Sequence, residues 1–374
     1  MSNKYYMPTR VILGEDCISE HSQLFATLGK KALIVTGAQS AKRNGSENDV
    51  KAALDSVGIS YLVFDKVMSN PTIACVYAGA ALAKENGVDF IIAIGGGSPM
   101  DAGKAIALLA AQDIEEGNLF SGAYKNKVLP MAFVPTTAGT GSEVTQYSIL
   151  TNDQARTKTS IASDLLFPTV TFLDAKYMEQ LGVTTTVNTA IDALSHAVEG
   201  MLSTRASVVS DALAVAGIRI IINCLPDMLR ALQSRSEVIL NLKQREQLLQ
   251  ASLMAGMVIA QTGTTAVHAM GYSLTYFKGI DHGRANGLLL GEYLKLVEKA
   301  EPDLAARILA ALNLSEAEQF RELLNKLLGE KEELSRAEIE QYSKLASQTK
   351  NIANSVVKPS EEELSTMFVR SFAK

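Results

Sequence analysis

The sequence predicts an α/β N-terminal domain built on a parallel sheet, followed by an all-α C-terminal domain. Three observations carry that prediction. Short apolar, β-branched and aromatic runs recur through the first half; helical patterns separate them; and after residue 178 the strand-like runs stop while helical periodicity continues. The expected domains are residues 1–178 and 179–374.

The strand candidates are residues 32–36 (ALIVT), 61–64 (YLVF), 90–94 (FIIAI) and 131–134 (MAFV). Unbroken apolar character is what a strand buried on both faces needs, and such strands belong to parallel sheets. Residues 47–57 and 74–86 carry helical patterns between them, as a βαβ succession requires. A hairpin is expected from 147–151 and 157–163 around a turn at 152–155, and 169–174 reads as one more strand. Helices are expected over 187–202, 208–224, 227–232, 242–261, 286–299, 314–328, 336–346 and 360–373.

Composition narrows the classes of function. With 374 residues, 47% of them hydrophobic and 20% charged, the chain has apolar material for two cores. A net charge of −5 argues against nucleic acid and anionic membrane as partners, since either needs a basic field. Cys17, Cys75 and Cys224 are odd in number, far apart and not in metal-spaced pairs, which fits a reducing, cytoplasmic setting. Residues 1–8 are polar and lack a signal-peptide core, and apolar stretches such as 251–260 suit buried helices rather than membrane spans.

Three strand ends carry chemistry. The run 90–94 leads into Gly95-Gly96-Gly97-Ser98-Pro99-Met100-Asp101 and then a helix that contains Lys104. Glycines let a backbone approach a diphosphate, and the free N–H groups of the next helix face the anion. The spacing is not G-x-G-x-x-G, and the turn by itself is also explained as a tight βα connection. A second small-residue loop, from Pro135 through Thr136, Thr137, Thr140 and Glu143, follows the run 131–134. Two such loops fit one extended dinucleotide lying across the carboxyl edge of the sheet. At the third strand end an acid would bind the adenine ribose 2′-hydroxyl and repel a 2′-phosphate. Here stands Gly37, followed by Ser40, Lys42 and Arg43, which favours NADP over NAD.

Three of the four histidines, His196, His268 and His282, fall in the helical half. Asp192 and His196 are four apart in IDALSHAVEG, so they share one helix face and can share a divalent ion. One carboxylate with three imidazoles suits Fe(II) or Zn(II), and ligand softness does not separate the two.

The blocks GGGSPMDAGK, PTTAGTGSEVT, IDALSHAVEG, VHAMGY and DHGRANG, with NPT at 70–72, resemble in order and spacing the signatures of the iron-containing alcohol dehydrogenases. The resemblance covers nearly the whole chain and implies the two-domain architecture shared with dehydroquinate synthase. It implies Asp192, His196, His268 and His282 as metal ligands and as the catalytic set. It implies Gly96, Gly97 and Ser98 at the cofactor diphosphate, Thr136, Thr137 and Thr140 along the nucleotide cleft, and Lys158 near the cofactor. Asn70 and Asp101, in the NPT and glycine-turn blocks, join the expected cofactor contacts with Gly37 and Ser40. TGAQSAKRNG looks like the NADP-using, butanol-dehydrogenase-like members.

Two positions depart from the family pattern. Tyr272 stands where many members have a second histidine, and Asp281 stands where many have proline. The activity implied is hydride transfer between a nicotinamide cofactor and a short primary alcohol or diol, with the metal activating the alcohol oxygen. A glycerol-type dehydrogenase and a dehydroquinate-synthase-like lyase are the alternatives. The lyase needs basic side chains for a phosphate-bearing substrate, and only Lys278 and Arg284 are near the ligands in sequence. A homodimer or higher homo-oligomer is implied by the resemblance.

Overall fold

A computed structural model describes residues 4–234 and 240–372. The end of the helix expected over 360–373, at Ala373, and the first three residues of the polar segment 1–8 lie outside the described residues. The chain divides into two compact units, one of Met7–Gln180 and one that begins at Leu181 and includes the N-terminal segment up to Tyr6. Tyr6 joins the second unit through its backbone: its N–H donates to Gln261 Oε1 at 2.9 Å and its carbonyl accepts from Gln261 Nε2 at 2.7 Å.

The first unit holds β1 (Arg10–Leu13), β2 (Lys31–Thr36), β3 (Ser60–Phe64), β4 (Phe90–Gly95), β5 (Met131–Pro135), β6 (Tyr147–Asn152), β7 (Thr157–Ala162) and β8 (Val170–Leu173). Six strands form one sheet in the order β1-β8-β5-β4-β2-β3, parallel at every pairing. The hairpin β6–β7 is antiparallel and separate. Side chains alternate across the sheet, as the two-residue strand period dictates. Leu33, Val35, Ile91 and Ala93 enter one core with Val76, Ile106 and Leu108; Ala32, Ile34, Ile92 and Ile94 enter the opposite core with Phe25, Val50 and Leu54. The longer helices of this unit are α1 (Ser46–Ser56), α2 (Ile73–Glu85) and α3 (Gly97–Ala111).

The strand order sets where a ligand can bind. From β2 the chain moves outward to β3, then returns to β4 on the other side of β2. Order therefore reverses between β2 and β4, and in sheets of this kind ligands bind beyond the carboxyl ends of such a pair, here at Thr36-Gly37 and Gly95-Gly96.

The second unit is helical: α4 (Val183–Met201), α5 (Val208–Ser234), α6 (Leu242–Thr262), α7 (Ala266–Lys278), α8 (His282–Ala300), α9 (Pro302–Leu312), α10 (Ala317–Leu328), α11 (Arg336–Ser347) and α12 (Glu361–Phe372). One expectation is corrected. The helices read as 208–224 and 227–232 are a single helix, α5, which runs through Pro226. Proline removes one backbone donor, a loss of about 3 kcal/mol in a helix interior. The buried face Ile218, Ile221, Cys224, Leu225, Met228 and Ala231 continues across it, and that packing overrides the break. By length and composition α5 is the one helix among the described residues that could cross a membrane, yet it packs against α4 and α6.

Candidate functional site

Helix α4 presents Asp192, His196 and Glu199 at i, i+4 and i+7, so all three lie on one face, and all three are buried. His268 lies in the first turn of α7 and His282 opens α8. The four predicted ligands converge. His268 Nε2 and His196 Nε2 are 3.0 Å apart, and Asp192 Oδ1 is 4.0 Å from the Nε2 of both His196 and His282. Donors about 2.1 Å from one ion lie about 3.0 Å apart at right angles and at most about 4.2 Å apart, so these separations suit a shared cation.

Two neighbours sharpen the fit. Glu199, fully buried, accepts at Oε1 from Thr265 N (2.8 Å) and Thr265 Oγ1 (2.7 Å), and its Oε2 meets His268 Nδ1. Burial pushes the Glu199 carboxyl up, but His268 and Thr265 outweigh it and hold the group below the usual carboxylate range. An ionised Glu199 keeps the proton on His268 Nδ1 and turns the Nε2 lone pair toward the cluster. Asn286, one turn into α8, brings its amide nitrogen within 3.1 Å of Asp192 Oδ1, 3.1 Å of His268 Nε2 and 3.3 Å of His282 Nε2. One NH2 group has two hydrogens for these three acceptors. Imidazole nitrogens and a carboxylate oxygen brought this close together offer the donor atoms that a cation takes.

Close packing holds the three helices in place. A Cβ on Gly271 would sit 2.2 Å from Asn286 Oδ1, and one on Gly283 would sit 2.0 Å from the Asn188 carbonyl oxygen and 3.0 Å from Asp192 Cβ. A side chain at Gly271 would displace Asn286, and one at Gly283 would displace the α4 backbone at Asn188 and press on Asp192. Gly271 lies inside α7.

The two departures from the family pattern also find places. The Tyr272 ring stacks on His282, with centroids 5.8 Å apart and planes 9° apart, and meets His268 edge-on. Asp281 caps α8: its Oδ1 accepts from Gly283 N at 3.1 Å and Arg284 N at 3.4 Å, which fixes the helix start that carries His282. Lys278 is paired with Glu338 and Arg284 with Glu332.

In the first unit the expected cofactor residues gather at the strand ends. Gly95, at φ +146°, ends β4, and Gly96 precedes α3. The two loops touch: Cβ atoms on Gly96 and Gly97 would lie 3.0 Å from Thr137 Oγ1 and 2.8 Å from Thr140 Cγ2. Thr136 N donates to the Gly95 carbonyl at 2.9 Å. Asn70, in left-handed backbone at φ 57°, donates its N–H to Ser98 Oγ at 3.1 Å, so the NPT loop braces the glycine turn. Gly37 follows β2 directly, and Ser40 Oγ is 3.8 Å from where its Cβ would stand. Asp101 is taken up internally: Oδ1 accepts from Ser142 Oγ at 2.7 Å and Oδ2 from Ile149 N at 3.1 Å. Lys158, on β7, acts on Asp101 through its charge.

Glu199 and Asn286 escaped the sequence reading. Each carried a signal: an acid one helical turn past His196, and an amide four residues after His282 on the same helix face.

Such a fold and such a donor set suit a metal- and nucleotide-dependent enzyme. Comparison with known proteins makes the class specific. The family profile "Iron-containing alcohol dehydrogenase" matches residues 8–175, and "Fe-containing alcohol dehydrogenase family, C-terminal" matches 186–369. The chain belongs to the iron-containing alcohol dehydrogenase family. It is 36% identical over 310 residues to 1,3-propanediol dehydrogenase of Citrobacter freundii, covering 81% of this chain and 78% of that one. An iron-containing alcohol dehydrogenase from Thermotoga maritima superposes with a TM-score of 0.91 at 37% identity, over 100% of both chains. A sulfoacetaldehyde reductase from Bifidobacterium kashiwanohense, solved in complex with NAD+, superposes with a TM-score of 0.88 at 26% identity, over 100% of both chains.

Proposed function

We propose that Asp192, His196, His268 and His282 hold one divalent ion, Fe(II) or Zn(II), and that the chain interconverts a short alcohol or diol and its aldehyde with NADP in preference to NAD. The observation that carries this reading is the convergence of the four donors, with Glu199 and Asn286 behind them. The ion, when bound, supplies Lewis acidity at the substrate oxygen. The chain's own residues do the rest. Asp192 offsets the charge, Glu199 fixes the His268 tautomer, and Tyr272 keeps the His282 ring in its plane. In this reading residues 1–178 are the dinucleotide-binding domain and 179–374 the metal-binding catalytic domain. Gly96, Gly97 and Ser98 face the diphosphate, with Thr136, Thr137, Thr140 and Asn70 beside it.

Support for NADP comes from Gly37, which leaves no carboxylate against a 2′-phosphate, and from Ser40 and exposed Arg43 beside it. Lys42 is already engaged by Asp65 at 2.6 Å, so the preference rests on Arg43. A short diol or its aldehyde is favoured by the relationship to 1,3-propanediol dehydrogenase. Both Lys278 and Arg284 are bound to glutamates, which speaks for an uncharged substrate and against a phosphate-bearing one.

The test is anaerobic: strip the protein with chelator, restore Fe(II) or Zn(II), and follow NADPH and NADH oxidation with butanal or 3-hydroxypropanal. Metal-dependent oxidation, faster with NADPH, is expected. No turnover with either cofactor and either metal would overturn the reading.

A further inference from the structure

The helix behind the glycine turn carries a lysine that the cofactor reading does not use. Lys104, in α3, is completely buried, and burial pulls its ammonium down to about 8. It is not idle. Its Nζ donates to Ser142 Oγ at 2.8 Å, Thr145 Oγ1 at 3.1 Å and the Tyr147 carbonyl at 2.8 Å. All three hydrogens of an ammonium thus have acceptors, and all three acceptors belong to the segment that leaves the second loop. Asp101, one turn earlier in α3, binds the same segment through Ser142 Oγ, Ile149 N and, by its own carbonyl, Ser148 Oγ at 2.7 Å.

These bonds join the first two turns of α3 to residues 142–149. The start of α3 is the glycine turn; the chain just before 142 is the threonine loop. The loops also abut, with Gly97 against Thr140 and Gly96 against Thr137. Their spacing is therefore set by van der Waals contact at the mouth and by buried hydrogen bonds behind it.

We propose that Lys104 is a positioning residue for the cofactor: by clamping α3 to the 142–149 segment it sets the spacing between the glycine turn and the threonine loop that receive the dinucleotide. The inference rests on the assignment of those loops to the cofactor. A neutral apolar side chain at 104 leaves Ser142, Thr145 and the Tyr147 carbonyl without their shared donor, and a ligand must then restore the spacing at its own expense in affinity.

Equilibrium binding of NADPH and NADH to the metal-loaded protein, followed by nicotinamide fluorescence, tests it with Lys104→Met and Ser142→Ala. Lys104→Met is expected to weaken binding by about tenfold or more, the scale of a lost charge-assisted hydrogen bond. Ser142→Ala, which leaves the ammonium two acceptors, is expected to weaken it about threefold to fivefold. In steady state the effect should fall on KM for the cofactor, with KM for the alcohol and the bound metal per chain unchanged. Unchanged cofactor affinity in Lys104→Met overturns the proposal. If that variant does not fold, Ser142→Ala decides, and wild-type affinity there overturns it. A wild-type protein that binds neither cofactor fails on the loop assignment itself and is separately recognisable.

Discussion

Glu199→Gln isolates the most buried support of the proposed metal centre. The substitution keeps size and shape and removes one charge. In the native arrangement Glu199 offers only acceptors, to Thr265 N, Thr265 Oγ1, His268 N and His268 Nδ1. Glutamine has one acceptor oxygen and one donor group. If the oxygen stays with Thr265, the NH2 faces His268 Nδ1–H, and the ring must move its proton to Nε2, the atom the ion needs. If the oxygen turns to His268, the NH2 opposes the Thr265 donors. Either way one charge-assisted hydrogen bond in a dry site is lost, about 1.5–3 kcal/mol, or roughly 10- to 150-fold in a binding constant. Loss of a carboxylate behind a ligating histidine is generally worth about 10- to 100-fold. Competition against a chromogenic chelator measures the metal affinity, and circular dichroism monitors the fold. Native affinity within about twofold in a folded Glu199→Gln protein would refute the tautomer argument.

Four further outcomes are expected. His268→Ala should abolish turnover and metal retention while the far-ultraviolet spectrum stays native; a loaded, active variant would remove His268 from the ligand set. Gly37→Asp has room, since its Cβ would stand 3.4 Å from the Val67 carbonyl and 3.8 Å from Ser40 Oγ, both ordinary contacts, and it should lower the NADPH-to-NADH efficiency ratio by about tenfold or more through repulsion at the 2′-phosphate. Gly283→Ala, with its Cβ 2.0 Å from a backbone oxygen, should destabilise the helical unit by about 1–3 kcal/mol and weaken metal binding, read by chemical denaturation and chelator competition. Burial raises the Glu143 carboxyl from 4.5 to about 7. The folded state then holds a proton that the unfolded state releases between those values, so this group's contribution falls as pH rises through them. Glu143→Gln should gain on the wild type across that window by up to about 3 kcal/mol, and parallel stability–pH curves would refute it.

Legibility followed burial. The strands β2, β4 and β5 were readable because both faces are covered and each run is apolar throughout. β1 was not read: it has four residues, its ends are exposed, and it depends on β8 for pairing. α7 was obscured by Gly271 and by the helix-weakening residues around His268, and it is helical because its neighbours bury it. Pro226 divided α5 on paper for a sound local reason that tertiary packing overruled. At the metal centre the i,i+4 pair on α4 was visible as a pattern within one helix. That His268 and His282 meet it is a fact of packing between helices, which no spacing along the chain encodes, and only the family resemblance supplied it. Lys104 was legible only as a residue of the helix after the glycine turn, because its acceptors lie some 40 residues away, at separations of 38, 41 and 43.

His196 and His268 stand 72 positions apart in the chain, yet their facing nitrogens are 3.0 Å apart. An ion between them would staple a long loop shut, in the manner of a removable cross-link. Each tenfold rise in free metal above the dissociation constant then adds about 1.4 kcal/mol to the folded state. If these residues hold the proposed ion, the enzyme's resistance to heat and proteases would rise and fall with the surrounding metal supply. Scarcity would mark idle copies for turnover, and a replete pool would preserve the working ones.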